Sequence, residues 1–148
     1  MVNKLKIFNN FNIPNKFKKS IILIGNFDGL HSGHQKLFEL AKKYKTKYKS
    51  KVGVVTFDPI PKMFFNTKIK NYRISNFSQK VIYLKKFDVD FVINKKFDKN
   101  FSKITYYKFI KDILSKKLRS KFIFVSNNFR FGHKREGDVA LLKKYEND

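Results

Sequence analysis

Apolar positions along this chain alternate between short unbroken runs and longer stretches where they recur every three or four residues. Ile21-Ile22-Leu23-Ile24 is an unbroken run that stops at Gly25, the pattern of a strand buried on both faces. Val52–Phe57 is a second such run, ended by Asp58-Pro59-Ile60-Pro61, where prolines cannot continue a hydrogen-bonded ladder. Asp90–Ile93 and Phe122–Val125 read as third and fourth short strands. Between them the period changes. From Gln35 to Tyr48, Leu37, Phe38, Leu40, Ala41 and Tyr44 recur at helical spacing among lysines. A helix is predicted from Asn76, with Gln79 as capping-box partner and Val81, Ile82 and Leu84 on it, ending before Asp88. Ile104–Leu118 is a further amphipathic helix with Phe109, Ile110, Ile113 and Leu114 inward, and Val139–Tyr145 a short last one. Lys62–Asn71 lacks clean periodicity after the proline pair and is expected to be flexible.

Strands alternating with helices at this spacing imply one α/β domain built on an open parallel sheet. A chain of 148 residues, 42% of them apolar, can fill one such core. The absence of cysteine excludes a disulfide framework, thiolate catalysis and cysteine-held metal, and fits a reducing compartment. Met1–Asn15 has no apolar core of a signal peptide, and Ile21–Ile24 is far too short to span a bilayer, so a cytoplasmic protein without a membrane partner is expected.

The net charge of +23 raises nucleic-acid or anionic-membrane binding. The excess is nearly all lysine, spread evenly and inflated together with Asn, Ile and Phe, which share AT-rich codons. Arginine, which grips phosphates and bases in a fork, occurs only at positions 73, 119, 130 and 135. Drift in base composition accounts for this pattern better than a nucleic-acid interface does.

The chemistry-bearing residues are far from evenly spread. Five of the six glycines and all three histidines lie in two loops, each directly after a predicted strand. Ligands of open parallel sheets bind at that edge, near the point where strand order reverses. The first loop is Gly25-Asn26-Phe27-Asp28-Gly29-Leu30-His31-Ser32-Gly33-His34, running into a helix N-terminus. Free backbone N–H groups and a partial positive charge there suit a phosphate, and the glycines let backbone approach it closely. The loop is neither a Walker sequence nor G-x-G-x-x-G. His31 and His34, three apart, fall on one side of the first turn within reach of a phosphate chain. With Asp28 they fall short of a zinc site, which takes a third or fourth ligand at matching spacing, so no protein-held metal is expected.

The second loop, Ser126–Asp138, holds half of the arginines, Arg130 and Arg135, and two alternating pairs, Phe129/Phe131 and Asn128/Arg130. One pair is expected to pack down while the other faces the cleft; a basic surface loop with two anchoring Phe residues explains the same pattern equally well. Asp58-Pro59 reads more simply as a strand terminator than as a cleft wall.

These pieces together resemble the adenylyltransferase module of bacterial FAD synthetases. The match runs through Ile24–Gln35, Val54–Pro61 and Asn128–Gly132, with Arg135, Gly137 and Asp138 following, and more weakly through Ile74–Lys80, Asp88–Asp90 and Phe97–Phe109. The resemblance implies a Rossmann-like open parallel sheet of the HxGH nucleotidyltransferase type. It implies AMP transfer from ATP to FMN with Mg²⁺, giving FAD and pyrophosphate. It assigns His31 and His34 to the ATP phosphates, Gly25, Asn26, Phe27, Asp28, Gly29 and Gly33 to the nucleotide pocket, and Asn128 to the neighbourhood of the phosphates or metal. Asp58, Pro59, Phe129, Arg130, Gly132 and Arg135 would border the flavin.

The chain departs from the family pattern at Ile60, where the family has His, and at Ser126-Asn127, where it has Gly-Glu or similar. The family's later Ser-Ser-Thr-x-x-Arg motif has no counterpart before Asp148. One adenylyltransferase-like domain over residues 1–148, incomplete at its C-terminus and lacking a riboflavin kinase module, is therefore expected, with a separate riboflavin kinase as a partner that would supply FMN. The alternatives are a non-catalytic nucleotide-binding remnant and, less favoured, a basic nucleic-acid-binding protein.

Overall fold

A computed structural model describes residues 5–27, 32–59, 61–65 and 77–146. Its centre is a five-stranded sheet, β1 (Lys6–Phe8), β2 (Ile21–Ile24), β3 (Val52–Asp58), β4 (Phe91–Lys96) and β5 (Phe122–Phe124), in spatial order β1-β4-β3-β2-β5. Every pairing is parallel. The helices are α1 (Ser32–Tyr48), α2 (Pro61–Phe65), α3 (Phe77–Lys86), α4 (Lys99–Ser102), α5 (Tyr106–Lys108) and α6 (Val139–Lys144). α5 continues directly into a π-helix, Phe109–Lys117.

Because side chains alternate across a strand, each central strand feeds two cores. Ile21, Leu23, Val52, Val54 and Val92 face Phe38 and Ala41 of α1 and Leu84 of α3. Ile22, Ile24, Val55, Phe57, Phe91 and Ile93 face the other way, onto Phe109, Ile110, Ile113 and Leu114. Fully burying one such side chain contributes about 1.5–3 kcal/mol, so helices on both faces are what makes a sheet of unbroken apolar strands stable. Gly53 sits opposite Phe91 in the ladder, and a Cβ there would lie 2.2 Å from the Phe91 ring. The glycine that interrupts the second apolar run is thus the space the phenylalanine occupies.

The four predicted strands and four predicted helices are present, with three kinds of difference. β4 runs beyond Ile93 through Asn94, Lys95 and Lys96, because β3 extends to Asp58 and keeps offering ladder partners. Those polar side chains are exposed or half-buried, so pairing costs them little hydration. Edge strand β1 is too short to show a period; it pairs with β4 and sets Phe8 against Phe17 and Phe91, and its short length and Lys6 fit an edge position. The helix expected from Ile104 starts two residues later, capped by Thr105 accepting from the Lys108 N–H. Its final turns widen, with Leu118 N–H donating to the Ile113 carbonyl five residues back at 2.9 Å.

On α3, Leu84 is buried but Ile82 is 57% exposed, and Lys80 takes the inward place. Lys80 is one helical turn from Leu84, whereas Ile82 projects about 200° away from it. The proposed cap Asn76 lies outside the described residues. Of the segment expected to be flexible, residues 62–65 are helical within α2, and the rest lies outside the described residues.

Candidate active site

Strand order fixes where a ligand can sit. β2 is joined through α1 to β3 on one side, while β5 pairs with its other side. Strand order reverses there, and connections leaving the two carboxyl ends in opposite directions open a crevice. Both glycine-bearing loops begin at it. Leu23 pairs with Phe124, so the loops leave adjacent strands about 5 Å apart. Asp58 ends the next strand over. The three segments singled out in the sequence therefore sit on three neighbouring strand ends, β3, β2 and β5.

The first loop is tied down at its root. Gly25 N–H donates to the Val55 carbonyl at 3.1 Å, and the Thr56 hydroxyl donates to the Asn26 carbonyl at 3.4 Å. Phe27 adopts a left-handed backbone conformation, φ 49°, and its ring is buried. That ring stands edge-on to Phe38, with centroids 5.1 Å apart, and to His34 at 5.3 Å. Phe27 thereby wedges the loop beneath the first turn of α1 and sets the plane of the half-buried His34 imidazole. No acidic residue occupies that first turn, so the helix N-terminus keeps its attraction for an anion. Gly33 lies in the same turn; Asp28, Gly29 and His31 lie outside the described residues.

The second loop is a closed, anchored excursion. Phe131 and Gly137 exchange backbone hydrogen bonds, 3.1 Å from Phe131 N–H and 2.8 Å from Gly137 N–H. Between them Gly132 has φ 80°, and a Cβ there would lie 2.6 Å from the Tyr106 nitrogen, so only glycine lets the loop lie this close to α5. His133 N–H donates to the Ile104 carbonyl at 2.7 Å and fixes the same contact. Phe131 is buried against Phe109, and Phe129 stacks on Phe131 with rings 5.4 Å apart. Asn128 and Arg130 are exposed, so the phenylalanine pair packs down and the polar pair faces outward. Asn128 Oδ1 accepts from the Ser126 hydroxyl at 2.8 Å, which orients its amide. Arg130 reaches Asp138 at 3.3 Å across the surface, while the other Asp138 oxygen caps α6 by accepting from Leu141 N–H. Arg135 is exposed, at φ 56°.

At the third strand end, Asp58 is exposed, its carbonyl accepts from Phe97 N–H at 3.0 Å, and a cis peptide joins it to Pro59. Among the described residues no three His, Cys, Asp or Glu side chains gather as a metal cage. The sequence reading gave no site role to Lys80, which is buried beside this edge with its ammonium 3.3 Å from the Thr56 hydroxyl. The signal was a lysine in phase with the apolar stripe of α3.

The geometry has counterparts among known proteins. The FAD synthetase family matches residues 13–148. The bifunctional riboflavin kinase/FMN adenylyltransferase of Buchnera aphidicola subsp. Acyrthosiphon pisum (strain APS) is 41% identical over 133 residues, 90% of this chain and 42% of that protein. The Escherichia coli (strain K12) protein of the same name is 40% identical over 124 residues, 84% of this chain and 40% of that one. The chain spans about two-fifths of the length of these curated relatives. A solved structure, that of a macrolide-efflux protein from Streptococcus pneumoniae, matches with a TM-score of 0.77 and 26% identity over 94% of this chain and 46% of that one. That likeness carries the fold; among the described residues no helix is long and apolar enough to cross a membrane. By sequence and by fold, this chain belongs to the FAD synthetase family.

Proposed function

We propose that the chain is an FMN adenylyltransferase, a single domain that moves AMP from ATP to FMN and releases pyrophosphate. The observation that carries this reading is the gathering of three family segments on three neighbouring strand ends at the point where strand order reverses. The reaction needs no protein nucleophile. An FMN phosphate oxygen attacks the α-phosphorus of ATP, the new P–O bond forms, and the bond from that phosphorus to the bridging oxygen breaks. The protein's work is to align two anions, offset their repulsion and stabilise charge on the departing pyrophosphate.

Each part of the edge has a task in that scheme. Gly25, Asn26, Phe27, Asp28, Gly29 and Gly33 shape the triphosphate pocket at the α1 N-terminus, and His31 and His34 donate to its oxygens as charge builds. Asn128, oriented by Ser126, faces the phosphates. Asp58 and Pro59 on one side, and Phe129, Arg130, Gly132 and Arg135 on the other, border the flavin, with the guanidinium groups suited to the FMN phosphate. Among the described residues the side-chain oxygen of Asn128 is the group that would help hold a Mg²⁺ arriving on ATP. Such an ion neutralises triphosphate charge. FMN would come from a riboflavin kinase activity, which the names of the relatives join to this one, and a cytoplasmic setting would supply the ATP.

The test is direct. The purified chain is incubated with FMN, ATP and Mg²⁺, and the flavins are separated by chromatography. FAD should form, and a His31→Ala/His34→Ala double variant should form none. No FAD from folded chain that still binds both substrates contradicts the reading.

A further inference from the structure

Lys80 is only 4% exposed, and a lysine is rarely so deeply buried without a specific task. It lies on the inner face of α3, beside Thr56 near the carboxyl end of β3, which is itself fully buried. Two hydrogen bonds in series link it to the first loop. The Lys80 ammonium donates to Thr56 Oγ1 at 3.3 Å, and the Thr56 hydroxyl donates to the Asn26 carbonyl at 3.4 Å. The chain of donors is consistent in polarity: an ammonium can only donate, and the hydroxyl accepts once and passes its own proton on to the carbonyl. It ends on the loop that leads into the N-terminus of α1.

The consequence lies in the peptide after Asn26. A trans peptide is planar, with its C=O and N–H pointing in opposite directions. Drawing the Asn26 carbonyl in toward Thr56 turns the Phe27 N–H away from Lys80. The same bond removes from the loop a carbonyl oxygen that would repel an anion. The lysine charge lies beneath this peptide in a region screened from water, where its field is weakened less than at the surface. A buried ammonium, a buried hydroxyl and a turned-in carbonyl thus act together on one peptide of the phosphate loop.

We propose that Lys80 is a positioning residue for the nucleotide phosphates: through Thr56 it holds the Asn26–Phe27 peptide with its N–H presented and its carbonyl withdrawn, and it adds positive potential from below. The proposal rests on the reading of this loop as the triphosphate site. Lys80 does not touch the substrate; it acts through Thr56 and Asn26.

The test uses Lys80→Met, which keeps length and bulk but removes charge and donors, Thr56→Val, which keeps shape but removes the hydroxyl, and Thr56→Ser, which restores the hydroxyl. ATP and FMN affinities are measured separately by calorimetry on folded samples. Lys80→Met and Thr56→Val should each weaken ATP about tenfold, as expected for losing a charge-assisted hydrogen bond, with FMN nearly unchanged. Thr56→Ser should bind ATP like the parent, and the Lys80→Met/Thr56→Val pair should lose less than the product of the two single losses. Parental ATP affinity in Lys80→Met, equal losses for ATP and FMN, or independent effects of the two substitutions would overturn the proposal. A parent chain that binds no ATP would instead count against the functional reading. The positioning claim would then be read from the Asn26 and Phe27 amide resonances of the ligand-free protein. They should move in both Lys80→Met and Thr56→Val and return in Thr56→Ser; resonances that stay put would refute it.

Discussion

At the amino ends of the strands, Asp90 accepts from the Val52 N–H at 2.8 Å and pairs with Lys45 at 3.1 Å, while Lys45 also donates to the Asp88 carbonyl at 2.8 Å. These bonds join the end of α1, the start of β3 and the start of β4. Four further lysines, Lys6, Lys16, Lys49 and Lys51, surround the same place and line an open cleft of about 530 Å³. At the carboxyl ends the backbone and side chains are arranged differently. His34 is aligned by an aromatic ring, Asn128 is oriented by a serine, and Arg130 and Arg135 stand on a loop closed by paired backbone bonds. The amino end gathers four exposed lysines around one ion-paired lysine, and the carboxyl end carries side chains aligned by their neighbours. Catalysis draws on donors held in place, which need no reorganisation as charge develops. Charge alone, on a chain this basic, marks no site.

This contrast makes substitutions at the two ends separable, and the largest effect belongs to the carboxyl end. His34→Ala should lower turnover roughly 100- to 1000-fold, the range for removing a donor that stabilises transition-state charge, with a much smaller loss of ATP affinity. Steady-state kinetics beside calorimetric binding would show it, and equal losses in both would remove His34 from that role. Gly132→Ala comes next, because it puts a side chain into the contact with Tyr106 at positive φ; it should cost about 2–3 kcal/mol of stability in denaturant unfolding. Asp90→Ala should cost about 2 kcal/mol, since it strips the Val52 N–H and Lys45 of their partner, and should leave ATP affinity unchanged. A fall in ATP affinity there would mean that the two ends are not independent. The smallest effect is expected from Arg130→Ala. Its surface pair with Asp138 is worth less than about 1 kcal/mol of stability, but the variant should raise the KM for FMN several-fold and spare that for ATP.

Much of this was written in the hydrophobic pattern. The runs at Ile21 and Val52 could only be central strands, and Phe109, Ile110, Ile113 and Leu114 could only be an inward helix face. The positions of glycine and histidine pointed to the carboxyl edge before any fold was known. What escaped is what pattern cannot carry. β1 is three residues long, too short to show a period, and is held by pairing to β4 and by Phe8 packed on Phe17 and Phe91. α2 and α4 are one-turn helices too short to show a period. On α3, an isoleucine at position 82 drew the apolar stripe one way while geometry buried Lys80 instead. A lysine inside a stripe reads as an interruption of the core until its partner, Thr56, is brought to it from another element. The loops were legible as chemistry because their residues are unusual for this chain; their supports were not, because Tyr106 and Thr56 are ordinary residues whose importance comes from what they touch.

The central claim is the location of the nucleotide. Its most direct test is titration of the isotope-labelled chain with ATP and Mg²⁺, following backbone amides by NMR. The account predicts shifts at Gly25, Asn26, Phe27, His34 and Asn128, with Val52, Lys45 and Asp90 undisturbed. Shifts centred on Lys45, Lys51 and Asp90, with the carboxyl edge silent, would contradict it and make charge rather than preorganised geometry the basis of binding.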